Sequence, residues 1–113
     1  MSIYDKLSQL GIVLPPVAVP AAAYVPFVQT GNLIFLSGHI AKQDGKPWVG
    51  QLGLTMTTDE AKTAARAVAI DLLGTLAAAC LAAGKTLDDV KRIVKVLSLV
   101  NSTATYTEQH LVT

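Results

Sequence analysis

The stretch Thr57 to Gly84, TTDEAKTAARAVAIDLLGTLAAACLAAG, limits what this chain can fold into more than any other. It predicts one long helix. Thr57 followed by Glu60 three residues on is a capping box, in which each residue satisfies the other's free backbone N–H. Asp59 and Glu60 suit the positive end of the helix dipole. Gly84 suits the left-handed position just past a helix end. Ala61, Ala65, Val68, Leu72, Leu76, Ala79 and Ala83 fall three or four apart and make one apolar stripe. Ile70, Leu73, Ala77, Cys80 and Leu81 make a second row beside it. So wide an apolar arc needs cover on two sides, a sheet and something more. Small residues at Ala67, Gly74 and Ala78, with Asp71 between them, allow a neighbour to come close.

That helix carries Lys62, Arg66 and Asp71, charges that are expensive in lipid, so the reading is a protein with no membrane span. The 113 residues predict a single domain, 1–113. The chain is 51% hydrophobic and only 15% charged, which points to surface covered by other subunits. The N-terminus mixes charges with prolines and has no long apolar core, so it does not read as a signal peptide. One cysteine allows no internal disulfide, and the expected compartment is the cytoplasm. The net charge is +1, with no basic run or stripe, which argues against nucleic acid as partner.

Before the helix, residues 3–10 predict a short helix capped by Ser2 and ended at Gly11. With the proline-rich arm that follows, it occupies residues 1–23. Tyr24 to Thr30 reads as a first strand, Gly31-Asn32 as a tight reversal, and Leu33 to Ile40 as a second strand. The unbroken run Leu33 to Leu36 predicts burial on both faces. Asp44-Gly45 is a further turn, and KPWVGQLG a short third strand. After the long helix, Thr86 caps one turn. Arg92 to Val100, RIVKVLSLV, predicts a buried strand reached by a right-handed crossover. A further helix begins near Tyr106.

The chemistry-bearing residues cluster at the end of the second strand, at Ser37-Gly38-His39. Ser37 and His39 are two apart and share a face of an extended chain, which permits a nucleophile–base pair. No acid stands near to orient the imidazole. Gly38 is more telling, because a glycine inside a strand often marks the close approach of a ligand or another backbone. Its N–H can offer a hydrogen bond to a carboxylate or carbonyl oxygen. Two histidines and one cysteine far apart in sequence make no metal site, and no nucleotide-binding glycine loop occurs. Cys80, inside an apolar stretch, reads as inert core.

The order Tyr24, Gly31-Asn32, Leu33 to Leu36, Ser37-Gly38 resembles the RidA/YjgF (L-PSP endoribonuclease) family, in its longer YjgF-like branch. The alanine-rich helix, Gly84, LDDVKRIVKVLSLV and the loop to Tyr106 match in order and spacing. The resemblance covers nearly the whole chain. It implies an α+β, chorismate-mutase-like fold, a mixed β-sheet with helices packed on one face. Its last helix and final strands fall beyond Thr113, so the fold is incomplete at the C-terminus. It further implies a homotrimer with ligand clefts between subunits, and hydrolysis of reactive 2-imino or enamine acids to 2-keto acids and ammonia with no cofactor and no metal. By carry-over, Gly38 and Tyr24 bind the ligand, with Ser37 and His39 beside them; His39 stands where the family usually has Gln. The family's carboxylate-binding Arg and water-positioning Glu also fall beyond Thr113, so no catalytic residue is assigned. The alternatives are a non-catalytic trimer that binds small metabolites, and an endoribonuclease, against which the charge balance argues.

Overall fold

The computed structural model of the chain describes residues 2–17 and 23–113. The arm's residues 18–22, Pro20 among them, lie outside the described residues. Two compact units divide the chain. The first holds residues up to His39 and Ile70–Ile93; the second holds Ile40–Ala69 and Val94–Thr113.

In the first unit, α1 (Ile3–Gln9) starts on the expected Ser2 cap, with Asp5 closing a capping box. Gly11, at φ 69°, lets the chain leave the helix. β1 (Phe27–Thr30) and β2 (Leu33–Leu36) form an antiparallel hairpin, with Phe27 opposite Leu36 and Thr30 opposite Leu33. Gly31 alone of the two turn residues has positive φ, 57°, as a type II′ turn requires at its first position. Both strands are shorter than the sequence predicts. β1 starts at Phe27 rather than Tyr24, and β2 ends at Leu36 rather than Ile40. Pro26 has no N–H to give a ladder, and the chain breaks pairing at Ser37-Gly38.

The core of this unit is Leu7, Cys80 and Leu87. Ile12, Leu14, Ile34, Leu73, Leu76, Ala77 and Val90 pack against it. β2 therefore turns Ile34 inward, while Leu33 and Phe35 stay exposed, as does Val28 opposite Phe35. The predicted burial of β2 on both faces does not occur in the single chain, because nothing among the described residues covers the outer face.

The long helix, α2 (Thr58–Ala82), contributes to both units. Its capping box forms as expected. The Thr57 N–H donates to Glu60 Oε1 at 3.1 Å, and the Glu60 N–H donates to Thr57 Oγ1 at 3.1 Å. At the other end Gly84 has φ 72°. The Lys85 N–H reaches the Cys80 carbonyl at 2.8 Å and the Gly84 N–H reaches Leu81 at 3.0 Å, the two bonds of a Schellman motif. Gly74 lies against the arm: a Cβ there would stand 2.4 Å from the Pro15 carbonyl oxygen. Leu81, expected in the second apolar row, is instead exposed. By length and composition alone α2 could cross a bilayer; Ala61, Ala64, Thr75, Ala79 and Cys80 along it are buried within the chain. A 3₁₀ turn, Leu87–Asp89, follows with Thr86 as its cap.

In the second unit, β3 (Lys42–Gln43) and β4 (Lys46–Pro47) pair across Asp44 and Gly45. Both turn residues have positive φ, the mark of a type I′ turn. The third strand is thus the second arm of a small hairpin. Leu52 is the buried centre here; its N–H donates to the Asn101 carbonyl, and its carbonyl accepts from Thr103 N–H. α3 (Gln109–Val112) begins three residues after Tyr106.

The architecture is α+β, with small antiparallel sheets and helices. The expected mixed sheet and its crossover strand are not formed among the described residues. Residues 91–100 make no backbone hydrogen bond there, and Ile93, Val94, Val96, Leu97 and Leu99 are exposed. A strand without a neighbour has no ladder, however strong its β preference.

Candidate functional site

Three of the four residues expected at the site are tied together where β2 ends. Ser37 makes three hydrogen bonds. Its N–H donates to the Pro26 carbonyl at 2.9 Å, which extends the hairpin ladder by one bond. Its Oγ donates to the Val25 carbonyl at 2.5 Å. Its carbonyl accepts from His39 Nδ1 at 2.7 Å. His39 thus meets the backbone of Ser37 and not its hydroxyl. The hydroxyl proton lies on a carbonyl oxygen, and the imidazole is not placed to remove it. The pair is not a nucleophile and its base.

The other ring nitrogen of His39 lies 2.7 Å from Thr75 Oγ1. Thr75 is fully buried in α2, 0% exposed. The sequence reading passed it over, although a hydroxyl in the middle of an apolar helical run is itself a signal, since buried polar groups need partners.

Gly38 is exposed, and its N–H has no hydrogen-bond partner among the described residues. A Cβ added there would meet nothing within 4 Å. Nothing among the described residues therefore demands glycine there. Tyr24 is 47% exposed and adjoins Val25, the acceptor of the Ser37 hydroxyl. Its own side chain makes no hydrogen bond to the other three.

Two open grooves lie elsewhere. One open groove of about 410 Å³ is lined by Tyr4, Leu7, Ser8 and Gly11 to Leu14. Another, of about 390 Å³, is lined by Gly53 to Thr58 and Tyr106. Neither includes a residue of the expected site. In the second groove Thr58 donates to Glu108 Oε1 at 3.0 Å. Its one proton is then spent, so Tyr106, 2.5 Å away, donates to Thr58.

Cys80 lies in the core as expected. Burial, and then the negative charge of Asp89, push its thiol above the ordinary value of 9.0, so it stays protonated at neutral pH.

No family model matches the chain. It is 42% identical over 108 residues to Protein TCP17 of Trypanosoma cruzi, which covers 95% of this chain and 65% of that protein. Among solved structures it is similar to Atu1372 of Agrobacterium tumefaciens, a protein of unknown function, with TM-score 0.78 and 33% identity over 96% of this chain and 63% of that one. It is also similar to "a putative endoribonuclease" of Shewanella oneidensis MR-1, with TM-score 0.67 and 29% identity over 76% of this chain and 56% of that one. The chain thus spans under two thirds of the length of each of these three proteins. The likeness to the Shewanella structure is consistent with a YjgF-like fold.

Proposed function

We propose that this protein is a RidA/YjgF-like, chorismate-mutase-like protein that takes a reactive 2-imino or enamine acid at Gly38 and hydrolyses it. The reaction adds water to the imine carbon and expels nitrogen as ammonia, leaving the 2-keto acid. The observation that carries this reading is the Gly38 N–H, in an exposed residue and without a hydrogen-bond partner among the described residues, just past the end of β2. Such a fixed donor stabilises a carboxylate or the charge that builds on an attacked group. Tyr24, exposed and next in sequence to Val25, the acceptor of the Ser37 hydroxyl, supplies a wall in this reading.

The cation that pairs with the substrate carboxylate and the group that activates water come from outside these four residues. A homotrimer in the cytoplasm, with clefts between subunits, is part of the same proposal. The exposed apolar face of Val28, Leu33 and Phe35 supports it, since a second copy would cover that face and supply a second wall. No metal or organic cofactor enters the reaction as written.

One observation favours a second reading, a non-catalytic trimer that binds small acids: the Ser37 hydroxyl and both His39 nitrogens are already engaged, which leaves no free base here. RNA cleavage, the activity in the name of the Shewanella protein, is disfavoured for this chain by its net charge of +1.

The deciding assay uses freshly generated 2-iminobutyrate and follows 2-ketobutyrate. Acceleration over buffer supports hydrolysis; 2-ketobutyrate binding without acceleration supports the second reading. The Gly38→Val variant localises the site. Its side chain has room, so stability is expected to move by less than about 0.5 kcal/mol while binding is lost. Undiminished binding by this variant would remove Gly38 from the site.

A further inference from the structure

A line of hydrogen bonds runs from the interior of α2 to the backbone beside Gly38, and it fixes more than a side chain. Its inner end is Thr75. The hydroxyl lies 2.7 Å from His39 Nε2 and 3.2 Å from the Asp71 carbonyl oxygen. Its outer end is the bond from His39 Nδ1 to the Ser37 carbonyl, 2.7 Å. A carbonyl only accepts, so Nδ1 carries the proton. In the neutral imidazole Nε2 is then an acceptor, and it takes the single proton of Thr75. The Asp71 carbonyl loses little, because the helix supplies it with a backbone N–H.

The Ser37 carbonyl and the Gly38 N–H belong to one peptide plane. No cis peptide bond occurs among the described residues, so the two groups point in opposite directions. The bonds from Ser37 N–H to Pro26 and from Ser37 Oγ to Val25 hold the near side of Ser37. They leave rotation about its Cα–C bond free. The His39 bond restrains that rotation. By drawing the Ser37 carbonyl toward the ring, it turns the Gly38 N–H away from the ring, where it meets no acceptor among the described residues.

We propose that Thr75 and His39 are positioning residues for the Gly38 donor. The buried hydroxyl of Thr75 holds His39 in its Nδ1–H tautomer, and His39 sets the Ser37–Gly38 peptide so that the amide proton meets a carboxylate or carbonyl oxygen of the ligand. This rests on the reading of Gly38 as the ligand-binding donor. It gives an unassigned threonine, deep in a helix, control over the site's affinity without touching the ligand.

The test is ¹⁵N NMR of the full chain, free and with 2-ketobutyrate as probe. The wild type is expected to show the Nδ1–H tautomer of neutral His39 and a Gly38 amide that moves as 2-ketobutyrate binds. Thr75→Val keeps the shape and removes the hydroxyl. It is expected to mix the tautomers, displace the Gly38 amide signal in the free protein and weaken 2-ketobutyrate about five-fold, the worth of one neutral hydrogen bond. Thr75→Ser should behave as the wild type. If Thr75→Val does not fold, His39→Leu, at a partly buried position, reads the same displacement. An Nε2–H tautomer in the wild type, or a Gly38 amide unmoved in these variants, overturns the positioning role. If the variants move the free Gly38 amide but 2-ketobutyrate never does, the positioning network survives as an internal brace. Its link to a ligand then falls, together with the proposed site.

Discussion

Two apolar-rich runs, Leu33–Leu36 and Ile93–Val100 (the second interrupted by Lys95 and Ser98), have opposite fates. The first is a strand; the second pairs with nothing among the described residues. Hydrophobicity does not separate them. The first run reaches its partner through the two-residue turn at Gly31-Asn32, so closing the loop costs little chain entropy. It also has a core behind it, because Ile34 packs on the cluster of Leu7, Cys80 and Leu87. The second run has no partner next to it in sequence, and Leu97 and Leu99 are 77% and 88% exposed. A local pairing needs only its own turn, whereas a strand of this second kind depends on a distant segment or on another chain.

The comparison can be broken from the side of the paired run. Leu87 is the most buried large side chain of its core. Leu87→Ala is expected to cost about 2–5 kcal/mol in chemical denaturation and to loosen the β1–β2 hairpin in hydrogen exchange. A hairpin that keeps its protection would show that the turn alone holds it. Gly31→Val comes next. It forces a branched residue to φ 57° and is expected to cost about 1–3 kcal/mol. If that variant is as stable as the wild type, the turn is not what pairs the strands.

A chemical probe gives a smaller effect and compares the core behind the first run with the second run. The raised Cys80 thiol is buried and protonated at neutral pH, so it is expected to resist alkylation. A thiol placed in the unpaired run by Ser98→Cys should react at close to the rate of a free one. Equal rates would mean that the second run is as sheltered as the core behind the first. The same raised thiol ties stability to pH. The folded state favours the protonated form, and the unfolded thiol ionises first as pH rises. This contribution is therefore whole below pH 9.0 and declines above it.

What the sequence made legible follows the same division. Features closed within a few residues were readable: the Ser2 and Thr57 caps, the glycine ends at Gly11 and Gly84, and the turns at Gly31 and Asp44-Gly45. The position of Ser37-Gly38 near the end of a strand was readable too, although the strand was expected to run on to Ile40. Features that depend on what covers a surface were not. The alternation of β2, Leu33 and Phe35 out with Ile34 in, is hidden in an unbroken apolar run. Arg92–Val100 carries every strand signal and still finds no ladder among the described residues. At the candidate site, proximity of Ser37 to His39 was readable from spacing, but the bond goes to the Ser37 carbonyl, which the identity of the side chains cannot reveal. Thr75, 36 residues away in sequence from His39, is joined to it only by the fold.

The smallest expected change in stability is also the one that speaks most directly to the unpaired run. Leu97→Lys puts a charge on a side chain that is 77% exposed, and no buried contact is lost. Unfolding free energy is expected to change by less than about 0.5 kcal/mol. Assembly is expected to change much more. An exposed apolar segment with free backbone donors and acceptors is a template for another chain, and lysine is a residue that blocks such pairing. Sedimentation velocity over a concentration series should show less self-association for Leu97→Lys than for the wild type. If instead the substitution destabilises the monomer by several kcal/mol and leaves association untouched, the run is covered within its own chain, and the contrast with Leu33–Leu36 disappears.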